Sequence, residues 1–302
     1  MTIGLCLIIG ATISILNKDE VLDVNKNTKK LLVVLLVCVA LLIVAGAVLL
    51  GSGEKEPVIE DEPVIEVIEK EEPEVEYTDD YYREFYKSQK EINEDYVGQI
   101  FFKSGLIVQP FVQGKTNGTY LRTDWTNMKY DVEGSNFMDY ANTIDDENIV
   151  IYGHYVFEYL DPTLTHKFSP LEQLLSKENY EDNKTIYLLL EDEIREYEIA
   201  SVFYAQLVKD GEYYYTQDNQ QYYLASFSDD YFETYHQAVK EVEQYKTGLD
   251  FTKNDKLLTL QTCTRSREDL REIVIAVEKN VYKLDGKCTF EKYDLTNSER
   301  NK

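Results

Sequence analysis

Residues 256–277 read KLLTLQTCTRSREDLREIVIAV and contain two apolar runs joined by a polar segment. Short runs rich in β-branched and aliphatic residues, separated by a polar turn, are typical of paired strands. A hairpin of these two strands would bring Arg271 back beside Cys263, which follows the first run directly. The segment therefore predicts β-structure that carries a thiol and a guanidinium at the same strand end.

Similar β-type runs recur through residues 81–290, separated by loops that contain Gly, Asn, Asp and Pro. They are GLIVQPFVQ (105–113), NIVIY (148–152), KTIYLLL (184–190) and REYEIASVFYA (195–205). Helical spacing of apolar residues predicts an N-terminal helix over 81–96 and helical patches at 169–177 and 229–248, the last ended by Gly248. Many short strands with turn signals indicate a mainly β domain, either a barrel or a sandwich.

Composition excludes several classes of function. The 302 residues carry a net charge of -25, which argues against a nucleic-acid partner because phosphate binding needs a basic face. Four Cys are too few for a disulfide-dense scaffold, and no Cys-x-x-Cys pair indicates a zinc site. We therefore expect neither a metal nor a cofactor.

Residues 31–50 read LLVVLLVCVALLIVAGAVLL, without a charged side chain. At about 1.5 Å per residue this helix would span roughly 30 Å, the thickness of a bilayer core, so we predict a transmembrane helix that contacts membrane lipid. A buried core helix would normally show a polar stripe. The loop before the run, within residues 1–30, carries Lys18, Lys26, Lys29 and Lys30, which predicts that this loop is cytoplasmic and that the chain after residue 50 is outside the cell. The apolar run at 3–16 is marginal as a second span.

The predicted domain order continues with a linker and a catalytic domain. Residues 51–80 hold thirteen acidic residues and two lysines, with spaced prolines, and are expected to be extended. Residues 81–290 form the globular domain, and 291–302 form a polar tail that we expect to be frayed.

Three side chains of the domain could carry chemistry. Cys263 is a candidate nucleophile if a neighbouring cation or base lowers its pKa, and Arg271 could stabilise a thiolate or an oxyanion. His154 follows Gly153 at the end of NIVIY and could titrate. His166 lies in a polar loop and His236 on the polar side of a predicted helix, neither beside a thiol in sequence, which favours surface roles. The alternative for Cys263 is a disulfide with Cys288, since two cysteines outside the cell invite pairing.

These motifs together resemble the sortase family. TLQTC (259–263) is similar to the sortase Thr-Leu-x-Thr-Cys signature, NIVIYGHY (148–155) to its His-bearing strand, and Arg271 to its Arg. The segments VQGKTNGTYL (112–121) and GSNFMDY (134–140), and a long helix at 229–245, resemble class B sortases in particular.

The resemblance implies a closed eight-stranded sortase-type β-barrel with an N-terminal helix and a long helix between late strands, preceded by the membrane helix. It implies a Gram-positive cell-surface cysteine transpeptidase that cleaves a C-terminal sorting motif of secreted proteins after Thr. The thioacyl enzyme would pass the protein to an amine of a cell-wall precursor or, in pilus assembly, of a pilin. The implied catalytic residues are Cys263, His154 and Arg271, and the implied substrate-binding residues are Asn117, Leu121, Tyr152, Gln261 and Thr262.

The sequence departs from the class B pattern at three places. Gln261 stands where Ser is common before Thr-Cys, Tyr155 follows the His where Asn is frequent, and QIFF (99–102) replaces a Gly-Trp-Ile segment. Gln261 could change motif preference, and none of the three removes a catalytic group. A hydrolytic cysteine peptidase with the same Cys, His and Arg, or a non-catalytic surface domain, remains an alternative.

The topology is testable on intact, wall-stripped cells. Because the lysines precede the apolar run 31–50, added protease should release a fragment that starts within residues 51–80. N-terminal sequencing of the released fragment is the measurement. Protection of the whole domain in intact cells would contradict the predicted orientation.

Overall fold

The computed structural model describes residues 78–210, 213–216, 224–263 and 270–296. Within those ranges no helix is both long and apolar enough to cross a bilayer. The predicted span at 31–50, the run at 3–16 and the linker up to residue 77 lie outside the described residues.

The described residues form nine strands, three α-helices and two 3-10 helices. The strands are β1 (Tyr96–Phe102), β2 (Val108–Val112), β3 (Phe137–Met138), β4 (Asn148–Tyr152), β5 (Thr185–Leu189), β6 (Glu193–Asp210), β7 (Tyr213–Thr216), β8 (Leu257–Cys263) and β9 (Leu270–Lys283). The α-helices are α1 (Asp79–Ile92), α2 (Tyr180–Asn183) and α3 (Asp229–Val242), and the 3-10 helices are Ser169–Leu175 and Lys177–Asn179.

Eight of the strands close into a barrel in the order β1-β2-β3-β4-β8-β9-β6-β5, with β5 pairing again with β1. The pairs β2–β3 and β4–β8 are parallel, and the others in the barrel are antiparallel. β7 lies outside the ring and forms a hairpin with the far end of β6. The predicted closed eight-stranded barrel is confirmed, and so is the long helix between late strands, since α3 falls between β7 and β8.

Both faces of the late strands are buried, which explains their nearly continuous apolar sequence. Side chains alternate between the two faces of a strand. Leu258, Leu260 and Val274 fill the barrel interior, whereas Ile273 and Ile275 lie on the outer face. The apolar side of α3 covers that outer face with Phe232, Tyr235 and Val239.

Both predicted long helices end earlier than the sequence suggests. The helix predicted at 81–96 ends at Ile92 because Asn93 takes an extended backbone and its side-chain amide donates to the Trp125 carbonyl at 2.8 Å. The helix predicted at 229–248 ends at Val242 because the chain then turns onto the barrel, where the Gln244 N–H donates to the Val202 carbonyl at 2.9 Å.

The prediction of a frayed tail from residue 291 is wrong for its described part, residues 291–296. Leu295 is fully buried, and its N–H donates to the Tyr81 hydroxyl at 3.0 Å. The Tyr293 hydroxyl donates to the Phe102 carbonyl at 3.1 Å. The Tyr293 ring and the Leu295 side chain join the apolar cluster shared by α1 and β1, and so hold this mostly polar segment in place.

One buried carboxyl lies directly behind the end of β8. Glu272 is 1% exposed, pairs across the strands with Thr262, and its Oε1 has no hydrogen-bond partner among the described residues. Burial, with a smaller contribution from the negative charge of Glu172, raises the pKa of Glu272 to about 8. This carboxyl therefore carries its proton in the folded domain at neutral pH.

We expect Glu272→Gln to stabilise the domain in a pH-dependent way. Between the ordinary value of 4.5 and about 8, the folded protein holds this proton and the unfolded chain does not, so stability falls as pH rises through that window. Glutamine at position 272 cannot ionise, so it removes this pH-dependent loss of stability. The variant should match wild type near pH 4 and exceed it by roughly 3–5 kcal/mol at pH 9.

Urea unfolding of the full-length chain at pH 4, 6, 8 and 9, followed through the single tryptophan, Trp125, measures this difference. A stability difference that stays constant across those pH values would contradict the buried neutral carboxyl.

Candidate active site

The register of β8 and β9 sets the position of the candidate nucleophile. Cys263, the last residue of β8, lies directly opposite Arg271 of β9. Both side chains point away from the barrel interior, because they lie on the same face of the sheet as Gln261 and Ile273, two residues away on their strands. The predicted hairpin, which brings Arg271 of one strand beside Cys263 of the other, is therefore present in the fold. Arg265 and Arg267, between the two strands in sequence, lie outside the described residues.

The glycine after β4 sets the position of the imidazole. The Gly153 N–H donates to the Gln261 carbonyl at 3.1 Å, which extends the β4–β8 pairing by one residue. A Cβ atom at Gly153 would lie 2.4 Å from the Phe168 ring and 2.6 Å from Asn136 Oδ1, so only glycine fits here. The chain then turns, and His154 Nε2 lies 2.6 Å from the Leu121 carbonyl oxygen.

A single cavity of about 840 Å³ joins these strand ends. All eight residues that the family resemblance implies for catalysis or substrate binding line it: Cys263, His154, Arg271, Asn117, Leu121, Tyr152, Gln261 and Thr262. Their elements are far apart in sequence, so the barrel topology alone brings them together. The cavity is large enough for several residues of an extended peptide.

Thr262 fits its expected role only through its main chain. Its side chain is 1% exposed, and its hydroxyl is buried in the barrel interior opposite Glu272. Strand alternation is the reason, since its neighbours Gln261 and Cys263 face the cavity.

The environment of His154 favours the neutral imidazole. Burial lowers its pKa below the usual 6.5, and the positive charges of Arg122 and Lys167 lower it further, while the hydrogen bond to Leu121 and the charge of Asp131 oppose the shift. A neutral ring that donates Nε2–H to the Leu121 carbonyl keeps Nδ1 as its acceptor atom. His154 can therefore accept a proton at neutral pH.

The alternative of a disulfide between Cys263 and Cys288 is wrong, since both thiols are free. Cys263 lines the cavity. Cys288 instead packs near the start of α1, where its N–H donates to Asp79 at 3.4 Å, and burial raises the pKa of its thiol. The two cysteines belong to different parts of the domain.

The other two histidines lie away from the cavity. His166 Nδ1 is 3.0 Å from a carboxylate oxygen of Glu133. His236 stacks on Phe232 of α3 and its Nε2 is 2.8 Å from Asp250. In the part of the chain that the structure describes, no group of three or more His, Cys, Asp or Glu residues could hold a metal ion.

The sequence patterns gave no indication that Asp139 belongs to the cavity wall. It lies within the quoted segment GSNFMDY (134–140), but its role depends on Asn117 and Tyr152, which are distant in sequence. The loop before α3 also supplies part of the wall through residues 224–226, held by the Asn148 N–H, which donates to the Ala225 carbonyl at 2.9 Å.

Comparison with known proteins agrees with this fold. Sortase B of Staphylococcus aureus is 28% identical over 205 residues, covering 66% of this chain and 76% of that protein. The crystal structure of Clostridium perfringens sortase B is 30% identical, with a TM-score of 0.54, and covers 64% of this chain and 99% of that one. A Staphylococcus aureus sortase B–substrate complex is 27% identical, with a TM-score of 0.53, and covers 67% and 86%. No model of a known protein family matches the chain.

The closed barrel, with a cysteine, a histidine and an arginine on one cavity, defines a cysteine transpeptidase of the sortase type. Within that type, the chain belongs to the class B sortases.

The pKa of His154 can be measured directly. Because its ring is desolvated and faces Arg122 and Lys167, we expect His154 to titrate below 6.5. NMR of the chain with ¹⁵N-labelled histidine, assigned by His154→Gln, gives the titration curve. A midpoint at or above 6.5 would show that the carbonyl of Leu121 and the charge of Asp131 outweigh burial.

Proposed function

We propose that the chain is a membrane-anchored class B sortase that cleaves a C-terminal sorting motif of secreted proteins after Thr and joins the protein to a cell-wall precursor amine. In this proposal residues 31–50 anchor the enzyme and the barrel acts outside the cell. The observation that carries it is the cross-strand pair Cys263–Arg271, which shares one cavity with His154.

Each catalytic side chain has a distinct task in the proposed reaction. His154 accepts the proton of the Cys263 thiol, and the thiolate attacks the Thr carbonyl carbon of the sorting motif. Arg271 donates hydrogen bonds to the oxyanion that forms. The peptide C–N bond then breaks, the leaving amine takes the proton from His154, and a thioester remains on Cys263. An incoming amine attacks this thioester and transfers a proton to His154, the C–S bond breaks, and His154 then returns the proton to the Cys263 thiolate.

The cavity wall supports a peptide substrate. A related sortase B has been solved as a substrate complex, and the cavity here offers Asn117, Leu121, Tyr152 and Gln261 to a bound peptide. The longer Gln261 side chain, where related enzymes often carry Ser, is expected to shift the preferred motif. Leu121 is 44% exposed and provides an apolar contact at the mouth.

Two catalytic alternatives share this site. A hydrolytic cysteine peptidase would release the acyl group to water, and a pilin-polymerising sortase would use a pilin lysine as the amine. A non-catalytic surface domain loses its main support, because Cys263 is a free thiol on a cavity.

A peptide assay separates these possibilities. The full-length chain is incubated with a panel of pentapeptides that carry Thr before the scissile bond, with and without an added amine, and products are identified by mass spectrometry. We expect amide products with the amine and none from Cys263→Ala. Acid products at equal rate with and without amine would identify a hydrolase instead.

The arginine assignment predicts a graded series of rates in this assay. Losing one oxyanion donor commonly costs about 10²–10³ in rate, so Arg271→Ala should lower turnover by about that factor. Arg271→Lys should restore only part of it, because lysine returns the charge without the planar fork.

Arg265→Ala and Arg267→Ala are the matched controls and should change turnover little, with circular dichroism to verify folding. A crippling effect of either control, together with near-wild-type turnover of Arg271→Ala, would reject the oxyanion role.

His154→Ala should lower turnover by about 10²–10⁴-fold, because it removes the general acid and base. His166→Ala and His236→Ala are the controls and should change turnover little. Equal effects at all three positions would contradict the assignment of His154.

A further inference from the structure

Asp139 is a buried carboxylate in the wall of the active-site cavity that takes no part in the proposed proton transfers. It follows β3 directly, is 8% exposed and lines the cavity. A buried carboxylate is costly unless hydrogen bonds compensate its charge. Its partners therefore show what it does.

The carboxylate holds two side chains of the cavity wall at once. Oδ2 accepts from Asn117 Nδ2 at 2.8 Å and from the Tyr152 hydroxyl at 2.8 Å, while Oδ1 accepts from the Ala141 N–H at 2.9 Å. Asn117 belongs to the loop after β2, and Tyr152 ends β4. Asp139 thus ties a loop residue to the strand that leads to His154.

These bonds fix the orientation of the Asn117 amide. Its Oδ1 accepts from the Tyr140 N–H at 2.9 Å, and its Nδ2 donates to Asp139, so a flipped amide would lose both bonds. The second N–H of Nδ2 has no partner among the described residues of the chain. A half-buried amide on the cavity wall therefore keeps one N–H to donate.

We propose that Asp139 is a positioning residue that holds Asn117 as a hydrogen-bond donor to a carbonyl oxygen of the bound sorting peptide. The inference rests on the proposed function, because it names the role of two wall residues toward that peptide. A hydrogen bond accepted by a carboxylate is stronger than one accepted by a neutral oxygen. Asp139 thereby reduces the conformational freedom that Asn117 would otherwise lose on binding.

The first test is steady-state kinetics of Asp139→Asn with the best pentapeptide of the panel. An asparagine at position 139 would present either an N–H₂ group or a neutral oxygen to the two donors that bind Oδ2, Asn117 and Tyr152. The Asn117 amide would then be poorly fixed. We expect KM to rise about tenfold or more, with kcat changed much less, because peptide binding is weakened more than the chemical step. An unchanged KM, or a loss in kcat alone, would overturn the proposal.

A double-mutant comparison shows whether Asp139 acts through Asn117. If it does, Asp139→Asn combined with Asn117→Ala should have nearly the KM of Asn117→Ala alone. Independent, multiplying effects would overturn the proposal. If Asp139→Asn does not fold, Asn117→Asp provides a second test. Aspartate at position 117 has nearly the size of asparagine but has no N–H to donate to the peptide. A wild-type KM for Asn117→Asp would also overturn it.

The matched control is Asp161→Asn. Asp161 is 3% exposed and accepts from Thr163, Thr165 and His166, but it does not line the cavity. This variant should lose stability, measured by urea unfolding, and keep the wild-type KM. An equal rise in KM for Asp161→Asn would assign the Asp139 effect to loss of buried charge in general and overturn the positioning role.

Binding of the same pentapeptide to Cys263→Ala, followed by fluorescence anisotropy, separates failure of this inference from failure of the proposed function. If Asp139→Asn weakens this binding about tenfold while wild type turns over no peptide, the positioning role stands and the transpeptidase proposal fails. If wild type turns over the peptide and Asp139→Asn changes neither Kd nor KM, the positioning role fails alone. Absence of both binding and turnover for the whole panel overturns both.

Discussion

The site depends on one constraint, the register of β8 between its parallel neighbour β4 and its antiparallel neighbour β9. Asn148 of β4 lies beside Leu257, and its buried Oδ1 accepts from the Thr259 hydroxyl at 2.8 Å. A slip of one residue would break this buried bond and turn Cys263 into the barrel interior. This buried polar pair, on the same face of β8 as Cys263, thus sets the position of the thiol four residues further along the strand.

The same alternation places polar groups behind the site as well as in it. When Cys263 and Arg271 face the cavity, their neighbours Thr262 and Glu272 must face the interior. Both keep a buried oxygen that lacks a hydrogen-bond partner within the described residues. These unsatisfied oxygens lower the stability of the domain locally, at the strand ends where the apolar core meets the catalytic groups.

Sequence patterns predicted the parts of the fold that depend on local periodicity. NIVIY (148–152) matches β4, and the apolar runs around Cys263 match β8 and the first half of β9, because strands buried on both faces are almost uninterrupted. The two-residue strand β3 has no such signal, since Phe137 and Met138 are strand residues only through pairing with β2 and β4.

The residues of the candidate site also differ in whether a local sequence pattern could predict them. Cys263, His154 and Arg271 stand in recognisable short motifs, and the barrel brings them to one cavity. Asp139 and the buried hydroxyl of Thr262 could not be assigned in this way. The first depends on partners 22 and 13 residues away, and the second on which face of β8 is inside.

The contact between the two ends of the domain also bears on how it folds. Leu295 is bonded to Tyr81 across 214 positions of the sequence, and β4 pairs with β8 across more than one hundred. Such non-local contacts can form only after nearly all of the domain has been synthesised, and topologies that depend on them fold slowly. A growing chain therefore has its thiol only near the end of synthesis and its assembled cavity later still. Cys263 comes to lie in one cavity with Arg271 and His154 only when the barrel has closed.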